Sequence, residues 1–212
     1  MKDLFLLSGL GADKRVFDFL DFGNHNVHHV SWISPLKNET LKEYAARLSQ
    51  QITSTHPVLI GVSFGGMVAM EIGKIMKTEK ILLISSARTK RDIPLNFKLA
   101  GILRLHRTVP SSFMKTNNAI TTWLFGAKTK IEKELLGAIL RDTDDHFLNW
   151  AIDKIVGWDN VDSLQNVTQI HGTRDKILPL KEARFVIEGG EHLMIVNRAD
   201  EVSQAIREAL KS

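Results

Sequence analysis

The sequence predicts an α/β fold: a mostly parallel sheet of about six strands with helices on both faces, interrupted late in the chain by an all-helical insert. Three observations predict it. Short apolar runs alternate with helical patterns along most of the chain, as in a sheet buried on both sides. One junction, Gly61-Val62-Ser63-Phe64-Gly65-Gly66, reads as strand, sharp turn and helix. Residues 90 to 160 hold helical patterns only.

The elements follow in order. Leu4-Phe5-Leu6-Leu7 is a continuously apolar strand that ends in the turn Ser8-Gly9-Leu10-Gly11. His28 to Ile33 is a second strand, stopped by Ser34-Pro35. Thr40-Leu41-Lys42-Glu43 is a capping box, after which Leu41, Tyr44, Ala45, Leu48 and Ile52 recur at helical spacing. Val58 to Val62 is the third strand and leads through Ser63 into a helix from Met67. Lys80 to Ser86 is the fourth. The insert carries helices over Lys98–Arg107, Asn117–Phe125, Ile131–Leu140 and His146–Val156. Val167–Gly172 and Arg184–Gly189 are the last two strands, and an amphipathic helix over Ala199–Leu210 closes the chain. Residues 1–89 and 161–212 thus form one core, with 90–160 as a helical cap inserted into it.

With 212 residues, 43% of them apolar and 25% charged, the chain is sized for a single globular domain. It has no cysteine, which excludes disulfides, thiolate metal sites and cysteine nucleophiles. No run approaches the roughly 18 to 20 apolar residues that span a bilayer, and the N-terminus lacks a signal-peptide core, so a cytoplasmic protein is expected. Charge is uneven. Ten basic residues against two acids lie between Arg88 and Lys133, while Glu134 to Asp162 holds seven acids and two bases. Such a block reads first as a solvated face. Its second reading, carried by Arg104, Arg107 and Lys115, is a surface for an acidic acyl carrier or an acyl-CoA. Nothing calls for nucleic acid, a metal or an organic cofactor.

The tight turn at Ser63 demands small neighbours, which Gly61 and Gly65 supply. A serine hydroxyl is a weak nucleophile and needs a base, and the base needs an acid to fix its tautomer. His192, in the loop after the last strand, is the candidate base among eight histidines; His171, before Gly172, reads as a turn anchor. Asp175, in His171-Gly172-Thr173-Arg174-Asp175, follows the penultimate strand and is the candidate acid. All three fall at the carboxyl ends of strands, the edge where open α/β sheets build sites. The backbone amides of Leu10 and Phe64 are the candidate oxyanion donors.

With these segments the chain resembles an α/β-hydrolase over essentially its whole length, and within that superfamily the compact branch of small carboxylesterases and pimeloyl-carrier-protein esterases. The resemblance implies a serine hydrolase that cleaves a carboxylic ester or thioester of a small-molecule acyl substrate. The chain departs from the family pattern in three places. It has Ser8-Gly9 where members commonly have His-Gly, it begins directly at the strand before that turn, and only sixteen residues separate Asp175 from His192. Trp123, Phe125, Phe147 and Trp150 are expected to line the acyl pocket. Two other classes are compatible with these residues: non-esterase chemistry on the same scaffold, such as carbon-carbon hydrolysis or a lyase reaction, and a non-catalytic ligand-binding protein.

Overall fold

The computed structural model describes residues 1–102, 115, 118–162 and 164–211. Its six strands are β1 (Asp3–Leu7), β2 (Asn26–His29), β3 (Val58–Val62), β4 (Lys80–Ile84), β5 (Val167–Gly172) and β6 (Phe185–Ile187). They form one sheet in the order β2-β1-β3-β4-β5-β6, every pair parallel. The order reverses direction at β1 and β3, so the topological switch point of the sheet lies between Leu7 and Gly61, which are partners in register. That is the crevice into which the loops after β1 and β3 project.

Alternation along the strands divides the core. Phe5, Leu7, Leu59, Ile81 and Leu83 face one side, where α1 (Leu41–Leu48) and α2 (Phe64–Ile75) bury Tyr44, Leu48, Met67 and Met70. Leu4, Leu6, Val58, Ile60, Leu82 and Ile84 face the other, covered by α8 (Ala199–Lys211), which follows the short α7 (Met194–Asn197), through Val202, Ile206 and Leu210. Each fully buried aliphatic side chain contributes about 1.5–3 kcal/mol, so this two-sided burial is the main source of rigidity under the site.

Between β4 and β5 lie α3 (Leu95–Ile102), α4 (Ala119–Phe125), α5 (Lys130–Asp142) and α6 (Asp145–Val156). Each of the last three opens on a side-chain cap, from Asn118, Thr129 and Asp144. The first predicted insert helix, Lys98–Arg107, overlaps α3 at 98–102; its remainder, with Arg104 and Arg107, lies outside the described residues. No described helix is long and apolar enough to cross a membrane.

Among the boundaries that differ from the sequence reading, three have a visible cause. β2 starts two residues earlier than expected and ends at His29, because its partner β1 runs out at Leu7. Beyond it the chain turns and Trp32 packs on Phe64, with ring centroids 5.6 Å apart. The helix after Thr40 has its capping box but stops at Leu48 and tightens into a 3-10 turn over Ser49–Gln51. β6 is shortened to three residues by a turn in which the Gly190 amide donates to the Ile187 carbonyl at 3.1 Å.

Candidate active site

Ser63 stands between β3 and α2 with φ 52° and ψ −119°, a conformation that a side-chain-bearing residue adopts only under constraint. The constraint is visible on both sides. The Ser63 amide donates to the Ile84 carbonyl at 3.0 Å, and the Ser63 carbonyl accepts from the Ser86 hydroxyl at 2.6 Å and the Gly66 amide at 3.0 Å. The neighbouring glycines are required by space. A Cβ on Gly65 would stand 2.2 Å from the Ser8 carbonyl oxygen, and one on Gly61 would stand 2.4 Å from the Gly66 Cα. A third contact was not singled out from sequence: a Cβ on Gly66 would meet the Ser86 hydroxyl at 2.2 Å.

The loops after β5 and β6 meet over this turn. The Arg174 amide donates to the Gly190 carbonyl at 2.8 Å, and Gly172 packs so closely on Gly190 that a Cβ there would lie 2.2 Å from the same carbonyl oxygen. This contact sets Asp175 and His192 side by side. His192 Nδ1 lies 2.8 Å from Asp175 Oδ2, and His192 Nε2 lies 3.0 Å from Ser63 Oγ. With a carboxylate on one side, Nδ1 carries the proton and donates, which leaves Nε2 to accept from the serine hydroxyl.

Asp175 and His192 are both about 5% exposed. Burial opposes ionisation of Asp175. The nearby His192, hydrogen bonds from His171 and His192, and the Leu178 amide outweigh it and hold the carboxyl well below the usual carboxylate range. Its second oxygen accepts from the Ile177 and Leu178 amides, each at 2.9 Å. His171 donates from Nε2 to the Leu178 carbonyl at 2.7 Å and lies 3.4 Å from Asp175 Oδ2, so it does anchor the turn, and it touches the acid as well.

The turn after β1 closes the fourth side. A Cβ on Gly9 would lie 3.5 Å from that of Ser63. Ser8, in the place where the resembled family carries histidine, donates its hydroxyl to the Ala12 carbonyl at 2.6 Å, and Trp32 Nε1 donates to the same oxygen at 3.1 Å. The Leu10 amide belongs to this braced turn. The Phe64 amide is the first of α2 and has no acceptor within the helix. Phe64 follows Ser63 directly, and Leu10 lines the same cleft as Ser63, on the two elements that flank the switch point.

A cleft of about 240 Å³ opens over these groups, lined by Gly9, Leu10, Ser63 and His192 at the sheet edge and by Phe125, Leu136, Ile139, Leu148, Ile152, Ile155 and Ile177 around them. Of the four aromatic residues expected here, only Phe125 is on its wall; its ring meets His192 edge-on at 5.5 Å. Trp123 is 62% exposed, with the Lys176 ammonium over its ring at 5.3 Å. Phe147 and Trp150 belong to the core. Trp150 stacks 4.5 Å from Tyr44 and donates Nε1 to the Glu39 carbonyl at 3.1 Å, and Phe147 packs 5.5 Å from Trp32. Helical spacing shows that a side is buried but not against what, and these rings fasten α6 to the body of the molecule. Among the described residues the cleft wall is mainly aliphatic instead.

Sequence reasoning also missed Glu191. It is buried beside His192, its carboxylate paired with Lys176 and, at 2.8 Å, with Lys128. Burial raises the pKa of this carboxyl, but the two ammonium groups outweigh that and lower it. The Leu193 amide adds a hydrogen bond to the Phe125 carbonyl at 2.9 Å, so the histidine loop is tied to the end of α4. Some basic residues of the expected face are paired within the protein, while Arg104 and Arg107 lie outside the described residues. Besides Lys128, Lys115 pairs with Asp145 at 2.9 Å, and Arg88 donates to the Leu164 carbonyl at 3.0 Å.

The chain matches the model of the alpha/beta hydrolase family over residues 4–205. The chain belongs to that family. Among solved structures it is similar to a lipase-esterase related protein from Clostridium acetobutylicum, with a TM-score of 0.72 at 16% identity over 98% of this chain and 93% of that one. An esterase from Exiguobacterium antarcticum gives 0.72 at 15% identity, covering 100% and 92%, and a bromoperoxidase from Bacillus anthracis gives 0.69 at 17%, covering 100% and 92%. At such identities the likeness speaks for the fold. No curated protein matches the sequence closely enough to count as a relative.

Proposed function

We propose that this alpha/beta hydrolase is a serine hydrolase that cleaves a carboxylic ester or thioester through an acyl-enzyme on Ser63. The observation that carries the reading is the hydrogen-bonded line from Ser63 Oγ to His192 Nε2, at 3.0 Å, and from His192 Nδ1 to Asp175 Oδ2, at 2.8 Å. Ser63 Oγ attacks the acyl carbonyl as His192 Nε2 takes its proton, and the ionised Asp175 stabilises the imidazolium that results. The amides of Leu10 and Phe64 receive the negative charge on the carbonyl oxygen. His192 then returns the proton to the departing alcohol or thiol. In the second half water attacks the acyl-enzyme, giving its proton to His192, and the carboxylic acid leaves as Ser63 recovers its hydroxyl.

Residues 90–160 act as the cap in this reading, closing an aliphatic cleft over the reacting centre. A fluorophosphonate should attach to Ser63, seen as a mass shift on the peptide that holds it. Ser63→Ala should abolish labelling and cost on the order of 10⁶ in kcat on a short nitrophenyl ester. Near-full turnover by that variant would sink the assignment, and an unlabelled, inactive but ligand-binding wild type would favour the non-catalytic alternative.

A further inference from the structure

The cleft over Ser63 carries information about the acyl group that the reacting line does not. Among the described residues its wall has four polar side chains, and each is already engaged. Ser63 and His192 bond to each other, Lys115 pairs with Asp145 at 2.9 Å, and Thr143 lies with its hydroxyl 2.8 Å from the Ile139 carbonyl. The remaining side chains are aliphatic or, at Phe125, aromatic. Among the described residues a charged or strongly polar tail entering this space would lose its water and meet only the Lys115 ammonium, which already holds Asp145, at a cost of several kcal/mol, whereas each methylene placed there is favourable.

Size sets the length. A cavity of about 150 Å³ lined by Leu, Ile and Phe holds benzene, with its six carbons, so the 240 Å³ here corresponds to about nine or ten. Resting on the serine-hydrolase reading above, we infer that the acyl group of the natural substrate is an uncharged aliphatic chain of about six to ten carbons. A dicarboxylic half-ester, of similar length but with a charged far end, is disfavoured by the same described wall, where Lys115 is already paired with Asp145.

The test uses the full chain and 4-nitrophenyl esters of the straight-chain acids from two to sixteen carbons, each below its micelle concentration, together with the mono-nitrophenyl ester of octanedioic acid at neutral pH. The kcat/KM should rise by up to about fourfold per methylene, peak between six and ten carbons and fall beyond. The octanedioate should be at least about a hundredfold poorer than the octanoate. A profile that is best on acetate, or one still climbing at sixteen carbons, overturns the inference. So does an octanedioate turned over within about threefold of the octanoate, an outcome that would mean the Lys115 ammonium leaves Asp145 to serve the far carboxylate. Fluorophosphonate labelling, run in parallel, separates the two levels. A labelled Ser63 with the wrong profile removes the chain-length inference alone, while no label and no hydrolysis of any ester removes the hydrolase reading with it.

Discussion

The sheet-edge loops and the helical segment between β4 and β5 approach Ser63 by different means. Around the serine, position is fixed by main chain. Ser63 is held through its own amide and carbonyl, Asp175 by the Ile177 and Leu178 amides, and the loops after β5 and β6 by a carbonyl that a single Cβ would displace. The helical segment touches the same place mostly through side chains: Phe125 on His192, Lys128 on Glu191, Thr143 on the turn that holds Gly11, and Trp150 on Tyr44. Backbone contacts admit little variation, since most substitutions leave them unchanged or break them. Side-chain contacts can be altered one at a time. On the serine-hydrolase reading proposed above, reaction belongs to the first region and substrate fit to the second, and substitutions in the two should fail in different ways.

The largest effect belongs at the sheet edge. Asp175→Asn keeps the shape of the line but favours the wrong imidazole tautomer, so kcat should drop by about 10⁴ with the fold intact by circular dichroism. The same variant has a signature in stability. Because the folded protein holds the Asp175 carboxyl below its ordinary range, the stability it contributes is present above that range, near pH 4, and is lost as pH falls through it toward the lower native value. Wild type should therefore lose unfolding free energy between about pH 5 and 2 more steeply than the asparagine variant. Equal slopes in urea titrations would show that Asp175 is not ionised as described.

In the helical segment the failure should be of the other kind. Trp150→Ala removes a buried ring and its hydrogen bond to the Glu39 carbonyl, at a cost of about 3–5 kcal/mol in unfolding free energy. Whatever fraction remains folded should still label at Ser63. A folded variant that no longer labels would mean that the helices take part in the chemistry, and the comparison would break.

The division also explains what could be read from sequence. Strand placement was legible because β1, β3 and β4 are apolar without interruption, and the elbow because its glycines are forced by contacts under 3 Å. Ser63, Asp175 and His192 were findable because a parallel sheet sends the residues that follow its strands to one edge. The end of β2 was not legible, since it is set by the length of a partner strand distant in sequence. Nor was the side on which Phe147 and Trp150 are buried: an apolar stripe has no partner until the helix is docked. Glu191 was overlooked for a related reason. One acid beside a histidine reads as a loop residue until Lys128 and Lys176, far apart in the chain, are brought to it.

Glu191 lies where the two regions join, and it predicts the smallest effects and the sharpest division between them. Lys176 belongs to the acid loop and Lys128 to the helical segment, so the buried carboxylate ties His192 to both. Glu191→Gln keeps the volume and removes the charge. If the pairs position the imidazole, kcat should fall about ten- to a hundredfold while KM stays within about twofold, because misplacement by even 1 Å is costly in the transition state. Lys128→Met removes only the tie to the helices. Its ammonium is two-thirds exposed, where water and salt weaken an ion pair, so its loss should cost at most about 0.5–1 kcal/mol in stability. Turnover of a short ester should change less than in Glu191→Gln, because Lys176 still holds the carboxylate. If Lys128→Met matched Glu191→Gln in kcat, the helical segment would be setting the histidine, and the line between reaction and fit would have to be redrawn through this residue.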